Sequence, residues 1–211
     1  MISLFIDTSL ENVSISIIKD NKILSLISKD IPNEHSIYTT SFIKDALDEA
    51  NILPTDIDNI YVVNGPGSFT GLRIGVTIAK TYGYLIKKEI HPVSSLKQLA
   101  ISSNSDNKVM SIIPANKNNY YIGIYDKEYN TILDEQFAST DKVIEIIEKY
   151  NPYIVGVHET DINTYHVNKV KLDIIKIINY YQDKDTVNYF ALVPNYKKLP
   201  QAIEDRMKKN D

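Results

Sequence analysis

The stretch Gly65-Pro66-Gly67-Ser68-Phe69-Thr70-Gly71-Leu72-Arg73-Ile74-Gly75 constrains this chain more than any other. It holds four of only seven glycines in 211 residues, and a fifth, Gly83, follows closely. Glycine serves where φ must be positive or where another group must approach the backbone. The apolar run Ile60-Tyr61-Val62-Val63 before it reads as a strand, and Leu72 to Lys88 after it reads as a helix. A glycine loop in that position often cradles phosphate on free N–H groups at the helix start. Both common phosphate-loop spacings fail here: the dinucleotide pattern needs glycine where Thr70 stands, and the Walker pattern needs lysine where Leu72 stands. An anion site of another kind and a tight turn that packs a helix on a sheet both stay open.

Gly71, Gly75, Ala79 and Gly83 recur every four residues, so on a helix they form one nearly straight stripe of small residues. Ile74, Ile78 and Tyr82 flank it as apolar walls. Glycine inside a soluble helix costs about 0.5–1 kcal/mol relative to alanine, so the stripe requires a compensating close contact. A second helix of the same chain or another subunit would each supply one.

A hydrophobic content of 43% is enough for a real core, and the length allows one large domain or two small lobes. The net charge of −4 argues against this chain alone gripping nucleic acid, which needs a basic face. The tail cations Lys197, Lys198, Arg206, Lys208 and Lys209 read as solvated side chains. There is no cysteine, which removes disulfides, thiolate catalysis and cysteine-bound metal. Asp7 interrupts the first apolar run, which lacks the basic start of a signal peptide, and no apolar run approaches the ~18–20 residues of a membrane span. A soluble cytoplasmic protein is expected.

The element pattern appears twice. Ile2 to Asp7, Val13 to Ile18 and Ile23 to Ile27 read as strands, followed by a helix over Ser36 to Ala50, the strand at Ile60 and the long helix. Glu89 to Val93 (strand) and Ser94 to Ser102 (helix) close the first unit. After the polar stretch 102–107 come strands at Val109–Ile113, Tyr120–Tyr125 and Thr131–Phe137, a helix over Asp141–Lys149 and a strand at Tyr153–Val157. Beyond these, Leu172 to Ile178 reads as strand-like, with helices around Thr186–Leu192 and Gln201–Lys208. The expected fold is α/β: two ribonuclease H-like lobes, 1–103 and 104–211, in the actin, Hsp70 and sugar-kinase (ASKHA) architecture, where nucleotide sits between the lobes.

In that fold Asp7-Thr8-Ser9 forms the hairpin after the first strand. It reads equally as a metal–phosphate holder and as an Asx turn, with Asp7 bonding the backbone two residues on. The corresponding turn in the second unit, Pro114 to Asn119, has neither carboxylate nor glycine, so independent phosphoryl transfer is not expected. His35, His91, His158 and His166 show no metal-ligand spacing, and no catalytic constellation stands out.

The segments "LFIDTS", "EHS", "NGPGSFTGLRIGVTIAK" and "HPVSSLKQLA" resemble the TsaB (YeaZ-type) family of the bacterial tRNA threonylcarbamoyladenosine machinery over about residues 1–100. Val193-Pro194-Asn195-Tyr196 resembles the family's C-terminal ending, while residues 114–121 keep little of the family's arginine-bearing segment. The resemblance implies a non-catalytic scaffold that pairs with TsaD and works with the ATPase TsaE. ATP would be used by the complex, at a subunit interface, and tRNA would be reached only through the complex. No cofactor or metal is implied for this chain; the metal-binding histidines of TsaD fall on Ser95 and Leu99. It further implies a partner face on the first two helices: Ile43 and Leu47, with Gly71, Ile74, Gly75, Ile78, Ala79, Tyr82 and Gly83. The same helices would form a homodimer when TsaD is absent. Bulk at Gly75 or Gly83 should then block the partner and spare the fold. Gly65, Pro66, Gly67, Ser68, Phe69, Thr70 and Arg73 make up the structural motif, and Asp7, Thr8 and Ser9 a vestigial nucleotide site. An independent ATP-binding enzyme of the sugar-kinase class is the alternative.

Overall fold

A computed structural model describes residues 1–30, 35–116 and 118–197. The first sheet has the order β3-β2-β1-β4-β5, built from Ile2–Asp7 (β1), Asn12–Lys19 (β2), Lys22–Asp30 (β3), Asn59–Gly65 (β4) and Ile90–Ser94 (β5). β1, β2 and β3 pair antiparallel, whereas β4 runs parallel to both β1 and β5. The second sheet has the order β10-β11-β9-β6-β7-β8, from Val109–Pro114 (β6), Asn119–Tyr125 (β7), Thr131–Ser139 (β8), Tyr153–Gly156 (β9), Thr160–Ile162 (β10) and Tyr165–Lys169 (β11). Its β8-β7-β6-β9-β11 portion repeats the order and sense of the first sheet. The molecule is two ribonuclease H-like lobes of the ASKHA type.

Helices cover both faces of the first sheet. His35–Ala50 (α1) and Phe69–Ile86 (α2) bury Phe42, Ile43, Ala46, Val76 and Ala79 against Leu4, Ile6, Ile15 and Val62. On the other face, Phe5, Tyr61, Val63 and Val93 meet Ser95–Ser102 (α3) and Ile174–Tyr181 (α5). Thr140–Tyr150 (α4) covers the second sheet through Val143, Ile146 and Ile147.

Caps explain where several helices start and stop. Ser68 Oγ accepts from Gly71 N at 3.2 Å, which starts α2 three residues before the apolar periodicity does. Lys87 ends that helix in the left-handed conformation at φ 57°.

Two tail expectations need correction. Leu172 to Ile178 does not form a strand. Asp173 caps a helix by accepting from Lys176 N at 3.1 Å, and Ile174, Ile177, Ile178 and Tyr181 bury one i, i+3, i+4, i+7 face. Thr186 to Leu192 is not a helix either. Val187 exchanges two backbone hydrogen bonds with Ile90, at 2.8 and 3.0 Å, and so extends the first sheet by one bridge. The expected helix at Gln201–Lys208 lies outside the described residues.

Candidate functional site

A cleft of about 1440 Å³ is lined by Asp7 and Ser9 of the turn after β1 and by Ile113, Asn116 and His158 of the second lobe. Asp7 is almost fully buried, and Thr8 and Ser9 are completely so. Its Oδ1 accepts from Ser9 N at 2.8 Å and Ser9 Oγ at 2.6 Å, and its Oδ2 accepts from Gln98 Nε2 at 2.8 Å. Of the two readings of this turn, the Asx turn is the geometry present. Burial raises the Asp7 pKa, and the hydrogen bonds from Ser9 and Gln98 offset only part of that. Gln98, which lies within the family-like segment 91–100 but is not singled out there as a site residue, is therefore part of the site. The signal was weak: a single amide among the apolar positions of α3.

The glycine motif closes over this turn. Ser68 N donates to Ser9 O at 2.8 Å, and Thr8 Oγ1 donates to Gly71 O at 2.7 Å. A Cβ on Gly67 would overlap Ser9 O, one on Gly71 would overlap Thr8 O, and one on Gly75 would overlap Thr8 Oγ1. Gly65 has φ +128°, and a Cβ there would lie 2.6 Å from Asn195 O. The loop thus receives the chain's own carbonyls and hydroxyl where a phosphate loop would receive a ligand.

Most of the residues expected on the partner face lie inside the lobe. Gly71, Gly75 and Ala79 are buried on the first sheet, and Gly83 faces Lys88 O, Ile90 and Tyr189. Ile43 and Leu47 belong to the core. None of these six positions faces outward: Gly71 and Gly75 lie against the β1 turn, Gly83 against Lys88, Ile90 and Tyr189, and Ile43, Leu47 and Ala79 within the core. Bulk at Gly75 would strike Thr8, so it cannot spare the fold as expected. Ile74, Ile78 and Tyr82 are half-buried, and Ile78 and Tyr82 pack against the α1 core. The outward apolar residues of the two helices are Ile37 and Leu85, about two-thirds exposed, with Tyr38 and Tyr84. Thr70 and Arg73 are exposed, and Arg73 lies 4.9 Å from the centre of the Phe69 ring.

Among the described residues the second lobe brings no acid to the lining of the cleft. Pro114, Ala115 and Asn116 line it, and Ala115 N donates to Asn119 O at 2.8 Å. Ser95 Oγ donates to Pro66 O, and Leu99 is fully buried. Among the described residues no cluster of three or more His, Asp or Glu is arranged to hold a metal ion. The lobes are joined instead by His158–Glu11 at 3.1 Å and by Glu135 of β8, whose Oε1 accepts from Ser94 Oγ and, at 2.9 Å, from Tyr125 OH. Lys197 approaches the other oxygen of Glu135 at 3.7 Å.

Residues 27–180 match the family model described as TsaD: tRNA N6-adenosine threonylcarbamoyltransferase. The TsaB protein of Buchnera aphidicola subsp. Acyrthosiphon pisum is 30% identical across 98% of this chain and 96% of its own length. The chain belongs to the TsaD family and is of the TsaB/YeaZ type. The Bacillus subtilis TsaB protein is 27% identical over 96% of each chain. YeaZ from Pseudomonas aeruginosa has the same fold, with a TM-score of 0.74 at 19% identity over 92% of this chain and 99% of that one. In this TsaB/YeaZ-type chain the motif that carries the resemblance is the motif that clamps Thr8 and Ser9.

Proposed function

We propose that this chain acts in tRNA threonylcarbamoyladenosine biosynthesis as a non-catalytic subunit that pairs with TsaD and, through that pair, recruits TsaE. The observation that carries the reading is the use of Asp7. Its three hydrogen bonds all come from Ser9 and Gln98, and its opposite number in the second lobe has no carboxylate. A phosphoryl-transfer site needs acids free to hold a metal–phosphate pair, and here the acid is spent on its own turn. The chain is then an inactive paralogue of TsaD, working in the cytoplasm. Its lobe of residues 1–103 carries the partner helices, and the lobe from 104 onward braces it.

The partner face in this reading is the outward flank of α1 and α2 around Ile37, Ile74, Ile78 and Leu85, and not the glycine stripe behind it. Exposed Ile37 and Leu85, with half-buried Ile74 and Ile78 beside them, suit a helix-on-helix interface. The test is co-purification with TsaD of the same organism, alongside tRNA modification with and without this chain. Leu85→Asp is expected to abolish the complex and the modification while leaving the melting temperature within about 2 °C of wild type. Wild-type affinity for TsaD in that variant would overturn the assignment of the face.

A further inference from the structure

We propose that the surface shared by α2 and the 186–197 strap binds single-stranded RNA by stacking bases on its exposed rings. The chain carries 27 acidic residues, yet 69–88 and 186–197 contain none, while they hold Arg73, Lys80, Lys87, Lys88 and Lys197. Two acids border this surface, since Glu89 accepts from Thr186 Oγ1 and Glu135 lies 3.7 Å from Lys197, while Arg73 and Lys87 beside the rings are exposed.

The strap lies along α2. Asn195 N donates to Asn64 O at 2.7 Å, and Lys80 Nζ donates to Phe190 O and Leu192 O at 3.3 and 3.1 Å. Two aromatic groups result. Phe69 stacks on Tyr196, with centroids 5.0 Å apart, and Arg73 lies over Phe69. Tyr84 meets Phe190 at 6.0 Å, and Lys87 Nζ lies 4.0 Å from the Tyr84 ring centre. Phe190 is 71% exposed, Tyr84 50%, Phe69 45% and Tyr196 39%. Fifteen residues of α2 separate Phe69 from Tyr84, which sets the two groups about 22 Å apart. At 100° per residue, Phe69, Arg73 and Tyr84 fall within about 60° of each other, and the set Ile74, Ile78 and Leu85 centres roughly 130° further round the helix. This is a second face of α2, distinct from the proposed TsaD face.

The chemistry favours RNA over a protein. Protein hot spots gather their aromatic anchors into one water-excluded centre. Here the rings form two separated groups, each with an exposed cation, as a track for phosphates and base faces requires. The inference stands apart from the scaffold reading, because it concerns the isolated chain.

The experiment is fluorescence anisotropy of a labelled ten-nucleotide oligoadenylate with the full chain alone, without TsaD, from 50 to 300 mM salt. Binding is expected in the micromolar range at 50 mM salt. With two or three phosphates neutralised, log K should fall against log salt with a slope of about −1.5 to −2. Phe190→Ala and Tyr84→Ala, both at exposed positions, should each weaken binding at least fivefold without changing the melting temperature. Leu85→Asp should bind as wild type does. No binding at 50 mM salt, or binding unchanged in both ring variants, overturns the proposal. Competition by poly-glutamate as strong as by unlabelled oligoadenylate would also overturn it and assign the surface to an acidic protein.

Discussion

Replacing Asp7 separates a structural acid from a ligand-holding one. In Asp7→Ala three buried donors lose their acceptor: Ser9 N–H, Ser9 O–H and the Gln98 amide. Each unmet buried donor costs about 1–3 kcal/mol, and the hydroxyl and amide can partly reorient, so a loss of about 3–5 kcal/mol is expected. Asp7→Asn behaves differently. Its amide oxygen keeps both Ser9 bonds, and Gln98 Oε1, now buried without a partner, can turn to accept from the new NH₂ group. The hydrogen-bond count is preserved and a buried charge is removed.

The pH dependence gives the sharper test. Burial raises the folded-state pKa of Asp7 above its ordinary value. Its contribution to stability is therefore full below the unfolded pKa and is lost as pH rises through the folded one. Asp7→Asn has no such loss. Its stability relative to wild type should improve as pH goes from 4 to 8, by about 1.4 kcal/mol for each unit by which the pKa is raised. Urea unfolding of wild type and both variants across that range measures this. Two results would refute the reasoning: a relative stability that moves the other way with pH, or a loss in Asp7→Asn equal to that in Asp7→Ala.

Two further outcomes follow from the packing. Gly75→Ala should destabilise by about 2–3 kcal/mol, because its Cβ meets Thr8 Oγ1, and Thr8→Ala should recover part of that loss; additive losses in a double-mutant cycle would show that the two residues do not oppose each other. His91 is buried, stacks on Tyr61 at 4.4 Å and bonds Tyr181 O at 3.1 Å, and burial lowers its pKa. The stability it contributes is present above the unfolded value near 6.5 and lost as pH falls through the lower folded value. His91→Phe should therefore flatten the acid side of the stability profile, and an unchanged profile by thermal melts from pH 4 to 7 would contradict this.

The five strands of the first sheet and β6 to β9 of the second were legible because each buried run is bounded by turns or caps, whereas the short and largely polar β10 and β11 gave no apolar run to read. The α5 segment misled for a physical reason. Leu172-Asp173-Ile174-Ile175 is apolar and β-branched like a strand, and only its Asp173 cap and one-sided burial make it a helix. Residues 186–192 misled because a backbone bridge to Ile90 outweighs local propensity.

The glycine stripe shows where sequence reasoning stops. Its spacing correctly demanded a close approach, yet any backbone satisfies that demand, and Thr8 lies 63 residues from its acceptor Gly71. Glycine N–H groups and a threonine hydroxyl make a phosphate cradle, with an acid to hold its metal, when they point into an open cleft. They make a clamp when the chain's own carbonyls and carboxylate reach those donors first. The residue types are the same in both cases. The difference lies in which acceptor arrives, and here Asp7 Oδ1, Ser9 O and Gly71 O account for the donors of Ser9, Ser68 and Thr8 in turn.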